Sequence, residues 1–460
     1  MKRLYTICSL AMLVLLLSIG LYSLLDKDAT YSESEKRKLQ TRPKLTLSSL
    51  LDGSYCENFG AFYDDTFPSR EAYLSANRKL NGFYSFSIGG KDSASFIMTG
   101  KNNSADHGEQ LKPTDNSDAS APSEPASDTP QKSTEPSEPQ ESTPQDPNHD
   151  ASLDPDTERY GTIVLVGDRA MELAYTDYDL FDKYAASVSN ISKALAANGV
   201  TTYSMLVPNA TAFYADEEYR TGSYDQKNAI EYCYSKMDAS VKTVDSYSRL
   251  SAHTDEYIYF RTDHHWTQLG AYYAYTAFCA QRGFKAEPLS KFETGEVDDF
   301  VGSMYTFMSD YPQSAILKEN PDTVFYYRPY VKTNLRVYSD STLTDSYDGL
   351  SVISGVSNVS NKYLCFLGGD HPISVIDTDV NGPTCVLLKE SYGNAFAPWL
   401  TSHYGKIIVI DPREFNRDGK PSLDLVAFAK EQGVTDCIVM NYPMMLTSDA
   451  YIAWLNRLVE

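Results

Sequence analysis

From residue 162 to the C-terminus, short apolar runs alternate with longer stretches of helical period. Residues 163–166, 201–207, 241–244, 257–260, 386–388, 407–410 and 436–440 read as strands. Residues 180–197, 225–239, 267–282, 396–404, 423–432 and 449–458 carry apolar positions at helical spacing. Continuously apolar strands interleaved with helices predict an α/β fold, with a parallel sheet covered on both faces. Residues 286–376 break the rhythm. They are rich in Tyr, Asp and Ser, with short β-like runs such as 323–327 and a Gly-Gly turn at Gly368, and they predict loops and small strands over one sheet edge. Upstream, residues 55–83 have helical spacing, with Pro68 suited to a first helical position.

The first 160 residues follow other patterns. Residues 4–25 are almost unbroken in apolarity and follow Lys2 and Arg3. That length crosses a bilayer as a helix, and the basic start predicts a signal anchor with the rest of the chain outside. Residues 26–54 then read as a polar stalk, and 55–100 as the first part of the folded domain. Residues 101–158 hold 14 acidic and 3 basic side chains, a net of 3 − 14 = −11, and no aromatic residue. Such a stretch buries too little apolar surface to offset its ordering, so it predicts a disordered insert ahead of the main domain at 159–460. The whole chain carries a net charge of −22, which excludes a nucleic-acid partner. Its seven Cys lack metal-like spacing and read as small buried apolar residues.

The candidate chemistry lies in two places. Asp263-His264-His265-Trp266 stands between an apolar run and a helix start, where α/β folds place their sites. An Asp two residues before a His can hold the imidazole's tautomer and stabilise its protonated form. Adjacent side chains of an extended segment diverge, so His265 shares the side of Asp263, and His264 is left to contact substrate or cap the helix. Far downstream an apolar strand breaks at Ser391, before Tyr392-Gly393-Asn394. A Ser at a strand-to-helix turn is exposed beside the Tyr392 and Gly393 N–H groups, candidate donors to an oxyanion. Asp263, His264 and His265 also raise the question of a metal. No second acidic or imidazole cluster of suitable spacing accompanies them, and no metal or cofactor is expected.

Asp-His-His-Trp at 263–266, Phe-Leu-Gly-Gly-Asp-His-Pro at 366–372 and Lys-Glu-Ser-Tyr-Gly-Asn-Ala at 389–395 together resemble the DHHW family of Gram-positive bacteria. More distantly they are similar to the SGNH-hydrolase-like domains of the alginate O-acetylation proteins. That resemblance implies a permuted SGNH-like sheet and a triad of Asp263, His265 and Ser391, with Glu390 where the family usually has Asp. It also makes Asn209 and Gly167 oxyanion candidates. Arg413, after another strand, is a candidate for an anionic sugar against a structural salt bridge. Trp266 and Trp399 are candidate sugar platforms against plain burial. The implied function is a membrane-anchored extracellular serine O-acetyltransferase or acetylesterase acting on a cell-surface polysaccharide, with a membrane-bound O-acyltransferase as a possible acyl donor. The rival reading is a non-catalytic glycan-binding or envelope scaffold protein, which the 35 Tyr residues also suit.

Overall fold

The computed structural model describes residues 162–460 apart from Ser357 and Asp418, with the backbone of Glu158–Tyr160 ahead of them. N-terminal to these it describes Tyr31–Ser32, Arg37–Lys38, residues 42–46, and Tyr55, Phe59, Phe62 and Tyr63. The chain divides into two compact units, residues 1–109 and 110–460. The first contributes little to the description: Tyr31–Ser32 pairs antiparallel with Arg37–Lys38, and the Tyr55 and Phe59 rings stack at 5.8 Å. The anchor expected at 4–25 and the insert expected at 101–158, up to its last residue, lie outside the described residues. Among the described residues no helix is long and apolar enough to cross a membrane.

The second unit is built on an eight-stranded sheet. Its strands are β4 (Thr201–Leu206), β5 (Lys242–Thr243), β8 (Thr333–Tyr338), β9 (Ser346–Tyr347), β10 (Ile373–Thr378), β11 (Thr384–Lys389), β12 (Lys406–Ile410) and β13 (Val434–Asn441). Their order is β9-β8-β10-β12-β11-β13-β4-β5. Strands β12, β11, β13, β4 and β5 run parallel, while β10, β8 and β9 extend the sheet antiparallel. The sheet is thus mostly parallel at its centre and mixed at one edge, where an all-parallel sheet was expected. The Tyr- and Asp-rich block supplies part of that edge rather than lying over it.

Apolar residues alternate across the pleat. Cys385, Leu387, Ile407, Val409, Ile438 and Met440 share one core with helices α3 (Gln268–Arg282) and α4 (Tyr392–Leu400). Val386, Leu388, Ile408, Ile410, Cys437 and Val439 face the other, with α1 (Tyr178–Ala196), α2 (Gln226–Lys236), α5 (Leu425–Glu431) and α6 (Asp449–Asn456). Runs apolar on both faces are what a doubly covered parallel sheet requires. The ends are set locally: the Asp177 carboxylate caps α1 by accepting the Leu180 N–H, and Gly283, at φ +84°, closes α3.

Two expected strands of that sheet are something else. Residues 163–166 form β2 (Ile163–Val166), central in a separate antiparallel sheet between β1 (Glu158–Tyr160) and β3 (Arg169–Glu172). The tight turn at Gly167, φ +59°, sends the chain straight back, so no crossover can follow. Residues 257–260 are buried without a ladder, holding only an isolated bridge from Tyr259 to Trp266. Elsewhere β6 (Glu293–Phe300) and β7 (Asp322–Arg328) pair antiparallel.

Strand β11 is where the order switches. The chain leaves β11 for β12 on one side, then returns to β13 on the other. Open α/β sheets bind ligands at such a point, beyond the strands' C-terminal ends. Leu388, near the end of β11, lies between Ile410 and Val439, and Ser391 follows directly.

Candidate active site

Ser391 lies two residues past the end of β11 and immediately precedes α4 in helical conformation, φ −53° and ψ −28°. Its Oγ lies 2.7 Å from His265 Nε2, and His265 Nδ1 lies 2.6 Å from Asp263 Oδ1. The ionised carboxylate accepts only, so Nδ1 carries the proton and Nε2 faces the serine hydroxyl with its lone pair. Asp263 is buried, which disfavours its charge, yet the two neighbouring imidazoles and the Ser303 N–H hold its carboxyl well below the ordinary range. The structure therefore brings together the three side chains singled out in the sequence.

These groups are fixed from several sides. The Asp263 oxygens also accept the His265 N–H at 3.0 Å and the Ser303 N–H at 2.8 Å. A Cβ on Gly302 would meet the Asp263 Cβ at 2.3 Å, so only glycine lets that loop close over the carboxylate. The Tyr363 ring stacks on the His265 ring at 3.8 Å and 8°, and its hydroxyl donates to the Ser391 carbonyl at 3.0 Å. Trp266 donates its indole N–H to the Tyr392 carbonyl at 3.0 Å, and the Tyr392 hydroxyl donates back to the His264 carbonyl. The histidine segment and the serine helix thus clasp each other through Trp266 and Tyr392.

The other candidates fall out differently. Trp266 and Trp399 are fully buried and their indoles bond to backbone, so neither is a sugar platform. Arg413 is buried and forks onto Asp411, with a further bond to Asp370 at 2.8 Å. It is the structural salt bridge and meets no sugar. Gly167 sits at the turn between β2 and β3 of the small antiparallel sheet, and the following Asp168 accepts from Arg261 at 2.5 Å. Asn209 gives its amide to the Glu172 carbonyl and takes bonds from Thr211 and Gln226, which uses it as a loop brace.

The Tyr392 N–H donates to Glu390 Oε2 at 2.9 Å and the Gly393 N–H to the Glu390 carbonyl at 2.9 Å, so both expected oxyanion donors are engaged. Gly393 is glycine for packing, since a Cβ would meet Lys389 at 2.5 Å. Ser391, expected to be presented to solvent, is 4% exposed and His265 5%. Thr267, rather than His264, caps α3, and His264 Nδ1 pairs with Ser303 Oγ at 2.6 Å. Ligand atoms of Asp263, His264 and His265 lie within 4.8 Å of one another, a spacing open to metal binding. Their hydrogen bonds to each other and to Ser303 already employ both Nδ1 atoms and both carboxylate oxygens.

Several residues at the site escaped sequence reasoning. Glu390, noted in the sequence only as standing where the family usually has Asp, is wholly buried beside Ser391 and also accepts the Tyr442 N–H at 3.2 Å. Tyr363, Gly302 and Ser303 come from the irregular block, whose period assigns no face to any of them. A buried network lies behind the serine. Asp370 accepts from Lys389, from Asn394 at 2.8 Å and from Arg413.

The model of the DHHW protein family matches residues 35–96 and 136–410 of this chain. Among solved structures, a DHHW family protein from Eubacterium siraeum superposes with a TM-score of 0.58 at 30% identity, over 66% of this chain and 98% of that one. The structure of Bacillus cereus PatB1 with a sulfonyl adduct gives 0.52 at 18% identity, over 65% and 98%. The O-acetyltransferase domain of Pseudomonas putida AlgJ gives 0.36 at 14% identity, over 66% and 99%. None of the curated proteins compared matches the chain.

Proposed function

The chain belongs to the DHHW protein family, and we propose that it is a serine acyl-transfer enzyme, an O-acetyltransferase or acetylesterase acting on a cell-surface polysaccharide. One observation carries this reading: the unbroken relay Ser391 Oγ, His265 Nε2, His265 Nδ1, Asp263 Oδ1 at the switch point of the sheet. The SGNH-like permuted order of strands and the anchoring by residues 4–25 belong to the same reading, with the folded unit outside the membrane.

Ser391 Oγ attacks the acyl carbonyl as Nε2 takes its proton, and Asp263 stabilises the resulting imidazolium. Collapse of the tetrahedral adduct expels the donor's alkoxide, which takes the proton from Nε2 and leaves an acyl-Ser391 ester. A sugar hydroxyl or water then gives its proton to Nε2 and attacks that ester, and Ser391 regains a proton as the bond breaks. Tyr363, stacked on His265, limits the ring's motion through both halves. In the state described, the Tyr392 N–H serves Glu390, and it reaches an oxyanion only once that side chain turns away. A membrane-bound O-acyltransferase fits as the source of the acyl group.

Turnover of 4-nitrophenyl acetate and labelling by a sulfonyl fluoride test the assignment. Ser391→Ala is expected to abolish labelling and to lower turnover by about 10⁴ or more. Labelling that survives in Ser391→Ala sinks the reading, and glycan binding without ester turnover in the unaltered protein favours the scaffold instead.

A further inference from the structure

Beside the catalytic edge the surface carries a run of tyrosines that the relay does not use. Tyr175 and Tyr178 are exposed, at 37% and 44%, and Tyr219, Tyr224 and Tyr232 are half-buried. The Tyr175 and Tyr224 rings lie 5.1 Å apart, Tyr219 and Tyr224 6.1 Å, and Tyr178 meets Tyr232 edge-on at 4.6 Å. The backbone holds this surface in place: the Thr176 N–H donates to the Ser223 carbonyl at 2.8 Å, joining the two loops that carry Tyr175 and Tyr224.

The strip lies at the same end of the sheet as the site and is linked to it through buried side chains. Tyr175 lines one cleft with Val207 and Pro443. Pro443 follows Tyr442, whose ring stacks on Tyr392 at 4.7 Å and 10°, and Tyr392 follows Ser391. Asn209, three residues beyond β4, donates to the Glu172 carbonyl, three residues before Tyr175.

The chemistry of the strip selects its occupant. Tyrosine rings offer flat faces that stack on the C–H faces of sugar rings, with a hydroxyl for the polar rim. Carboxylates of Asp177, Asp216, Glu217, Glu218 and Asp225 stand beside these tyrosines against the cations of Arg220 on the same loop, Lys227 on α2 and Lys236, which lies over the Tyr232 ring at 4.8 Å. Carboxylates accept hydrogen bonds from sugar hydroxyls and repel anionic sugars. We propose that the tyrosine strip from Tyr175 to Tyr224 is an acceptor subsite for a neutral glycan chain, holding sugars beside Ser391. This rests on the acyl-transfer reading for its purpose, but the binding itself does not depend on catalysis.

Titration calorimetry of the full chain carrying Ser391→Ala tests it, with an N-acetylglucosamine hexamer and a glucan hexamer as neutral probes and polygalacturonate as the polyanion. At least one neutral probe is expected to bind and polygalacturonate not to. Tyr175→Ala and Tyr224→Ala should each weaken neutral binding about tenfold, while Tyr175→Phe keeps it. Preference for the polyanion, no binding of either neutral probe, or binding indifferent to both alanine variants overturns the proposal. Tyr-dependent binding in a protein that never turns over the ester would sink the enzymatic reading and leave the subsite standing.

Discussion

Asp322 stands behind the imidazole and Asp370 behind the serine; both are buried, and they do different work. Asp322 accepts the Arg261 N–H at 3.0 and 3.1 Å, the Thr262 N–H at 2.7 Å, the Thr262 hydroxyl at 2.6 Å and the Tyr257 hydroxyl. These donors lie in residues 257–262, which form no ladder among the described residues and meet β3 only through the Ala170 N–H and the Arg169 side chain, so one carboxylate takes donors that a sheet partner would otherwise take. Asp370 instead meets side chains: Lys389, Asn394 and Arg413. Burial disfavours its charge, but the two cations hold its carboxyl well below the ordinary range. The backbone around Ser391 is set mainly by β11 and α4, with the Glu390 carboxylate accepting the Tyr392 N–H and the Tyr363 hydroxyl donating to the Ser391 carbonyl. His265 is thus placed by side-chain bonds to an irregular loop, and Ser391 by regular secondary structure over a compensated charge network.

The comparison breaks first at Asp322. Asp322→Ala strands several buried donors at once, and the expected cost is about 3–5 kcal/mol in urea unfolding. Ester turnover should fall with it, since Thr262 is next to Asp263. Ser391→Ala, by contrast, should shift stability by less than about 1 kcal/mol, because strand and helix persist without the hydroxyl. A loss under about 1 kcal/mol for Asp322→Ala would mean that the loop is held by Arg169 and Trp266 instead.

The same difference explains what could be read in advance. Around Ser391 the period of the apolar residues marks both the strand and its break, and the turn between them is a local feature. Around His265 the motif is visible, but its setting is not: Tyr257 to Phe260 is as apolar as a strand because it is buried. What holds it is Asp322, some 60 residues on, and no local period encodes a hydrogen bond across that distance. Glycines show the same limit. Gly393 looks like a residue that admits a ligand, whereas the Lys389 side chain occupies that space.

The charge network on the serine side should show itself in acid. His371, next to Asp370, is buried, with its ring bonded to the Leu367 carbonyl at 3.2 Å. Burial, with Lys389 nearby, pushes its pKa down to about 4. The unfolded chain, at an ordinary value of about 6.5, binds the proton first. His371 therefore contributes fully to stability above about pH 6.5, and that contribution fades as pH falls towards 4, by up to about 3 kcal/mol. His371→Gln should flatten the urea-midpoint profile between pH 4 and 6.5 relative to the unaltered protein. An equally steep profile in the variant would assign the acid sensitivity to other groups.

The smallest expected effect tests whether the serine turn needs any side chain at all. Glu390 Oε2 accepts the Tyr392 N–H, and its Oε1 accepts the Tyr442 N–H at 3.2 Å, so one carboxylate ties the helix after Ser391 to the end of β13. Oε2 also lies 3.5 Å from Ser391 Oγ. In Glu390→Gln the side chain keeps its size but only one oxygen accepts, and one of the two N–H groups faces an amide NH₂ instead. If Glu390 positions the turn, kcat for 4-nitrophenyl acetate should fall about tenfold, or about 1.4 kcal/mol, with KM nearly constant. If Glu390 instead withholds the Tyr392 N–H from the oxyanion, removal of its charge should raise kcat. A rise would place the serine side, like the histidine side, under the control of a single buried carboxylate, and the contrast between the two halves would narrow to which backbone each one holds.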